Sequence, residues 1–172
     1  MHKGHKTLNR DQHRQIIDRL SLAGNQEDIV LRGHLYVEYW LNEMILKEWK
    51  KGDIIVGNFT FSQKVSIAES TGLVSDGDIE VIACLREINA IRNRFAHDLY
   101  PDEIEGKFNK LSVPFNTNPE GLKHLTGIRR FQLAVAVVSA YMLGRCETKD
   151  NITSPDSLLP ALLLSDFGLP PS

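Results

Sequence analysis

The chain predicts an all-α fold, and three observations carry that expectation. Apolar residues recur at spacings of three and four along most of its length. Asn or Asp precedes several of these runs, and Gly or Pro follows them. No strong strand-turn-strand signal interrupts the pattern. The expected architecture is an up-and-down bundle of five to six helices in one domain over residues 9–147, since 172 residues suit one core better than two. Residues 1–8 read as a mobile arm, with His2, His5 and His13 assigned to a mobile basic N-terminal segment that could touch RNA or acidic partners, and residues 148–172 as a Pro-rich apolar tail docked on the body or on a partner.

The elements follow in order. Asn9 can cap a helix running to about Ala23, with Ile16, Ile17 and Leu20 on its apolar face and Gly24-Asn25 as its stop. Residues 28–50, "DIVLRGHLYVEYWLNEMILKEWK", are apolar over most of the circumference and should run through the middle of the fold. "KGDIIVGN" ends that helix. "FTFSQKVSIAESTG" reads as a shorter helix closed by Gly72, with residues 59–62 either helical or extended. Asp76 and Asp78 open the next helix, which must finish near Tyr100 because Pro101 disfavours helical geometry before it. "PDEIEGKFNKL" can start a short helix at that proline. A polar loop then leads to a last long helix from about Pro119 to Arg145.

The bulk properties narrow the function. Apolar residues at 42% and charged residues at 24% fit a globular chain, and the longest apolar run, residues 131–143, is shorter than the roughly 20 residues that span a bilayer. No apolar run follows the basic N-terminus, so a secretory signal is not expected and a cytoplasmic location is. The formal net charge of −2 argues against direct reading of duplex DNA, as does the lack of a helix-turn-helix pair with a basic recognition helix. Cys84 and Cys146 lack the spacing of a zinc site and read as reduced core residues. No cofactor fingerprint or metal-ligand set is present, so neither cofactor nor metal is expected.

One segment concentrates chemistry. In "AIRNRFAHDLYP", residues 90–101, the helical wheel puts Val81, Leu85, Ile88, Ile91, Phe95 and Leu99 on one apolar stripe. Arg86, Asn89, Asn93 and His97 fall on a neighbouring arc, with Arg92 at the border. Arg94 and Asp98 look like surface charges. Asn is a weak helix former, so two of them on one face need a reason. Arg offers a fixed charged fork for phosphate, and His titrates closest to working pH. Asn93, one turn from His97, could orient the imidazole or a substrate oxygen.

"RNRFAH" resembles the signature of the HEPN superfamily, with Arg92, Asn93 and His97 at its arginine, polar and histidine positions. Residues 28–145 more widely resemble the mannitol operon repressor (MltR-like) proteins, which are also helical. The resemblance implies two functions. As a catalytic HEPN protein the chain would be a metal-independent endoribonuclease or RNA-binding protein, a homodimer joining two motifs around single-stranded RNA, with a role in stress, defence or as a toxin held by an antitoxin. His97 would then be the general base or acid, Arg92 would stabilise charge on phosphorus, and Asn93 would position both. As an MltR-like protein it would be a non-catalytic transcriptional regulator acting through a protein partner.

Other residues complete the expectation. His34, Glu38 and Asn42 form a polar line on the second helix, and Glu38 is expected to face Arg86 or Arg92 across the bundle and hold it. His34 with Glu38 lacks the further ligands of a metal site. Lys123, Arg129 and Arg130, with His124, could extend a phosphate-binding surface or be ordinary helix-start charges. Tyr36, Tyr39, Trp40 and Trp49 read as packing.

Overall fold

Local chemistry sets the helix starts. In the computed structural model, which describes residues 8–22, 24–97, 104–115, 122, 124–125 and 127–151, the Gln12 N–H donates to Asn9 Oδ1 at 2.9 Å and the Asn9 N–H to Gln12 Oε1 at 3.1 Å. This reciprocal cap opens α1 (Arg10–Leu22). Asn25 Oδ1 accepts from the Glu27 N–H at 2.9 Å and opens α2 (Gln26–Glu48). Each cap satisfies an N–H that the first turn would otherwise leave without a partner.

The stretch expected only to end α2 instead forms a helix of its own, α3 (Gly52–Asn58). Seven residues are too few for an isolated helix to persist, so packing against α2 decides the matter. A Cβ at Gly52 would lie 2.7 Å from the Ile45 carbonyl oxygen, an approach only glycine permits. Phe59 and Thr60 are extended, and a capping box between Thr60 and Gln63 starts α4 (Phe61–Ser70). A 3-10 turn at Asp76–Asp78 leads into α5 (Ile79–His97). Asp78 Oδ2 accepts from the Ser75 hydroxyl and, at 2.8 Å, from Tyr141 Oη, which ties the start of α5 to the last helix.

α6 (Ile104–Lys110) follows, and then α7 (Gly127–Asn151). Gly127 has φ +54° and donates its N–H to Asn109 Oδ1 at 2.7 Å, so α7 starts there rather than near Pro119. It continues past Arg145, where Glu147 bonds the Arg10 guanidinium. The expected turn at Tyr100-Pro101 and the apolar tail beyond Asn151 lie outside the described residues, as do residues 1–7 of the expected arm.

The described elements form an all-α bundle with no strand among them, and their seven α-helices exceed the expected five to six chiefly through α3. α2 and α7 pack along each other, α5 lies against both, α1 crosses their surface, α4 bridges α2 and α5, and α6 covers α5 and α7. Gly33 allows the central contact, since a Cβ there would come within 2.9 Å of Phe131 and 3.2 Å of Val135. Trp40, Leu41, Ile45, Leu85, Ile88, Phe131 and Met142 are fully buried around it. Cys84 and Cys146 are buried in the same core and form no disulfide with each other. Among the described residues no helix is long and apolar enough to cross a membrane.

The N-terminal reading needs correction at two residues. His13 is no arm residue: it is 3% exposed on α1, bonded to Tyr36 Oη and set edge-on to Trp40. Leu8, the last residue assigned to the arm, donates its N–H to Tyr39 Oη at 2.9 Å. Both follow from α1 laying its apolar face on the aromatic stripe of α2.

Candidate functional site: a cleft between three helices

The apolar stripe of α5 faces the core as its period requires: Val81, Leu85, Ile88 and Ile91 are buried, and Phe95 packs against Phe108. The polar arc beside it therefore turns toward α4 and α2, where it divides. Arg86 is taken up by an exposed ion pair with Glu69 on α4. Asn89, Arg92 and Asn93 instead line a cleft of about 390 Å³, joined by His34 and Glu38 from α2 and by Thr60, Phe61 and Ser62 at the start of α4. A smaller depression of about 200 Å³ continues along α5 past Ala90 to Arg86. His97 does not line the cleft; it is exposed one turn beyond Asn93 on the same helix.

Buried and exposed groups are sorted by depth. His34 and Phe61 are buried at 4% and 6% exposure and form the floor, their rings 4.5 Å apart. Glu38, Asn89, Arg92 and Asn93 are half-buried, and Thr60 and Ser62 are exposed at the rim. His34 Nε2 lies 3.2 Å from Asn89 Oδ1, so Nε2 carries the proton, because a carbonyl oxygen can only accept. Burial lowers the His34 pKa, with Arg92 and Lys64 acting in the same direction and Glu38 and Asn89 against it. The ring is thus neutral at pH 7.

The expected partnership of Glu38 with a motif arginine is not formed. Glu38 Oε1 accepts from Lys64 Nζ at 2.9 Å, and the Lys64 side chain is only 4% exposed. α4 bridges α2 and α5 and supplies this nearer cation, whose ammonium could not be buried there without a carboxylate. The amide–imidazole bond also falls elsewhere than expected, between Asn89 and His34 rather than between Asn93 and His97. Asn93 Oδ1 accepts from Arg92 Nη1 at 3.0 Å.

Arg92 differs from the arginines that form ion pairs. Arg10, Arg32 and Arg86 each pair with a carboxylate. Among the described residues no carboxylate pairs with Arg92, and the Asn93 amide is its hydrogen-bond partner. The other basic candidates lie away from the cleft. Arg130 donates from Nε to the Leu111 carbonyl at 2.7 Å, and Arg129 lies 3.4 Å from both the Ser21 carbonyl and Gln132 Oε1, so both brace neighbouring segments. His124 is exposed, and Lys123 lies outside the described residues.

Of the residues singled out in the sequence, Asn89, Arg92, Asn93, Glu38 and His34 line the cleft, while Thr60, Phe61 and Ser62, which also line it, and Lys64, which pairs with Glu38, were not singled out. Lys64 carried no signal of its own in the sequence, since a lysine on an amphipathic helix is usually solvated. Among the described residues no three His, Cys, Asp or Glu side chains gather as metal ligands. The comparisons with known proteins add no relative: no family model, no curated protein and no solved structure matches this chain.

Proposed function

We propose that this chain is an HEPN-like protein that binds and cleaves single-stranded RNA without a metal, two copies meeting as a homodimer so that both Arg92-Asn93-x-x-x-His97 motifs face one phosphate. The observation that carries this reading is a half-buried arginine at a cleft with no carboxylate partner among the described residues, one turn from an exposed histidine. Such a cation is available to phosphate, whereas Arg86, already paired, is not.

The chemistry balances without a cofactor. Neutral His97 takes the proton of a ribose 2′-hydroxyl, and that oxygen attacks phosphorus. Arg92, oriented by Asn93, stabilises the charge that develops on the phosphoryl oxygens. The bond from phosphorus to the 5′ oxygen breaks, and the second His97, protonated, returns a proton to the leaving oxygen. The products are a 2′,3′-cyclic phosphate and a 5′-hydroxyl.

The test is cleavage of a labelled single-stranded RNA pool in EDTA by the parent protein, His97→Ala and Arg92→Ala, matched in thermal stability. The parent should leave cyclic phosphate ends, and each variant should lose about 100-fold or more in rate. Equal inertness of all three overturns catalysis. A stable complex with a protein partner and no affinity for RNA would then favour the MltR-like regulator.

A further inference from the structure

The cleft sorts charge in a way that fits one kind of ligand. Of its lining residues, Glu38 is paired with Lys64 behind it, and His34 is neutral. Its remaining cation, Arg92, is half-buried at the edge that leads toward His97. A ligand that is uncharged where it enters and anionic where it leaves matches this distribution, and a nucleotide inserted base first is such a ligand. A volume of about 390 Å³ lies at the small end of small-molecule sites, which run from ~300 to ~1,000 Å³.

The polar atoms narrow the base. Glu38 Oε1 is occupied by Lys64, and among the described residues Oε2 accepts no hydrogen bond. A carboxylate only accepts, so it calls for N–H groups on the ligand edge. Asn89 and Asn93 both use their carbonyl oxygens, toward His34 and Arg92, which leaves their amide N–H₂ groups to donate. Facing donors for Glu38 and acceptors for two amides occur together on guanine, with N1–H and N2–H₂ on one side and O6 and N7 on the other. Adenine and cytosine each offer a single amino group, and uracil a single N–H. His34 and Phe61 close the floor with ring atoms that suit a flat base.

We propose that the cleft takes one guanosine nucleotide of single-stranded RNA base first, with Glu38 accepting from N1–H and N2–H₂ and Arg92 holding the attached phosphate. The inference rests on the reading of this chain as an RNA-binding protein but not on cleavage. It makes the cleft the element that chooses which nucleotide lies beside His97.

The experiment is calorimetric titration of the full chain with the 5′-monophosphates of guanosine, adenosine, cytidine and uridine, then with two short oligoribonucleotides that differ by one G→A change. Guanosine monophosphate should bind about 10-fold or more tightly than the others, since each of them offers Glu38 one donor group rather than two. Glu38→Gln combined with Lys64→Met, which removes the buried ammonium together with its carboxylate, should abolish that preference. Ser62→Trp, placed on the exposed rim, should block all four with an unchanged Tm. Absent binding, equal affinity for all four bases, or indifference to Ser62→Trp overturns the proposal. Binding of guanosine monophosphate but of neither oligonucleotide overturns it in favour of a free nucleotide. His97→Ala separates the two readings: it should stop cleavage and leave guanosine binding intact. An RNA-cleaving protein without base preference would keep the first reading and sink this one.

Discussion

His13 and His34 are buried to nearly the same degree, at 3% and 4% exposure, on helices that meet the same core. His13 has Tyr36 and Trp40 around it, and burial pushes its pKa down to about 4 against the pull of Glu147. His34 lies on the floor of a cleft beside Asn89, Glu38 and Arg92. The same side chain at the same depth thus serves packing in one place and a polar cleft in the other. Burial alone does not tell them apart; what distinguishes them is whether the surrounding polar atoms are consumed by the fold.

The comparison breaks most sharply on removal of His13. His13→Ala leaves a cavity and an unpaired Tyr36 hydroxyl, and should cost about 3 kcal/mol in urea denaturation with RNA affinity per folded molecule unchanged. A loss of RNA affinity in the folded fraction would mean that the two histidines are not separate in role.

Acid should produce a similar effect through the ring itself. The folded-state pKa of His13 lies below its ordinary 6.5, so the native state binds fewer protons than the unfolded one. Its contribution is fully present above pH 6.5 and is lost as the pH falls to about 4, amounting to about 3 kcal/mol. Denaturation midpoints across that window should fall, and His13→Gln should flatten the decline. An unchanged slope in the variant would move the acid sensitivity to other groups.

The smallest effect on stability belongs to His34. His34→Gln can keep a bond to Asn89, and the open cleft tolerates the change of shape, so stability should move by less than about 1.5 kcal/mol. Affinity for RNA should nonetheless fall about 10-fold. A variant that loses more stability than His13→Ala, with binding intact, would reverse the assignment of the two residues.

Much of this was legible in the chain because it is local. Asn9 caps α1 as expected, through a partner three residues away, whereas Asn25, expected to help stop α1, caps α2 instead, and Thr60 was not singled out. The two stripes of α5 follow from the helical period, which is why Asn89, Arg92 and Asn93 could be picked out together. α3 was not legible, since a short helix is held by what it packs on rather than by its own propensity. Nor was His13, whose place in the core depends on how α1 crosses α2.

The sequence by itself determined an all-α chain, the order of its principal helices and the faces each would bury, since caps and periodicity act over a few residues. Only the tertiary structure decided that Lys64 rather than an arginine meets Glu38, that His34 rather than His97 joins Arg92 and Asn93 in the cleft, and that Arg86 is tied up by Glu69. Those pairings join residues 26, 55 and 17 positions apart, as with Lys64–Glu38, His34–Asn89 and Arg86–Glu69. Which side chains meet across such distances is set by how whole helices pack, and helix packing is a property of all the buried surfaces at once.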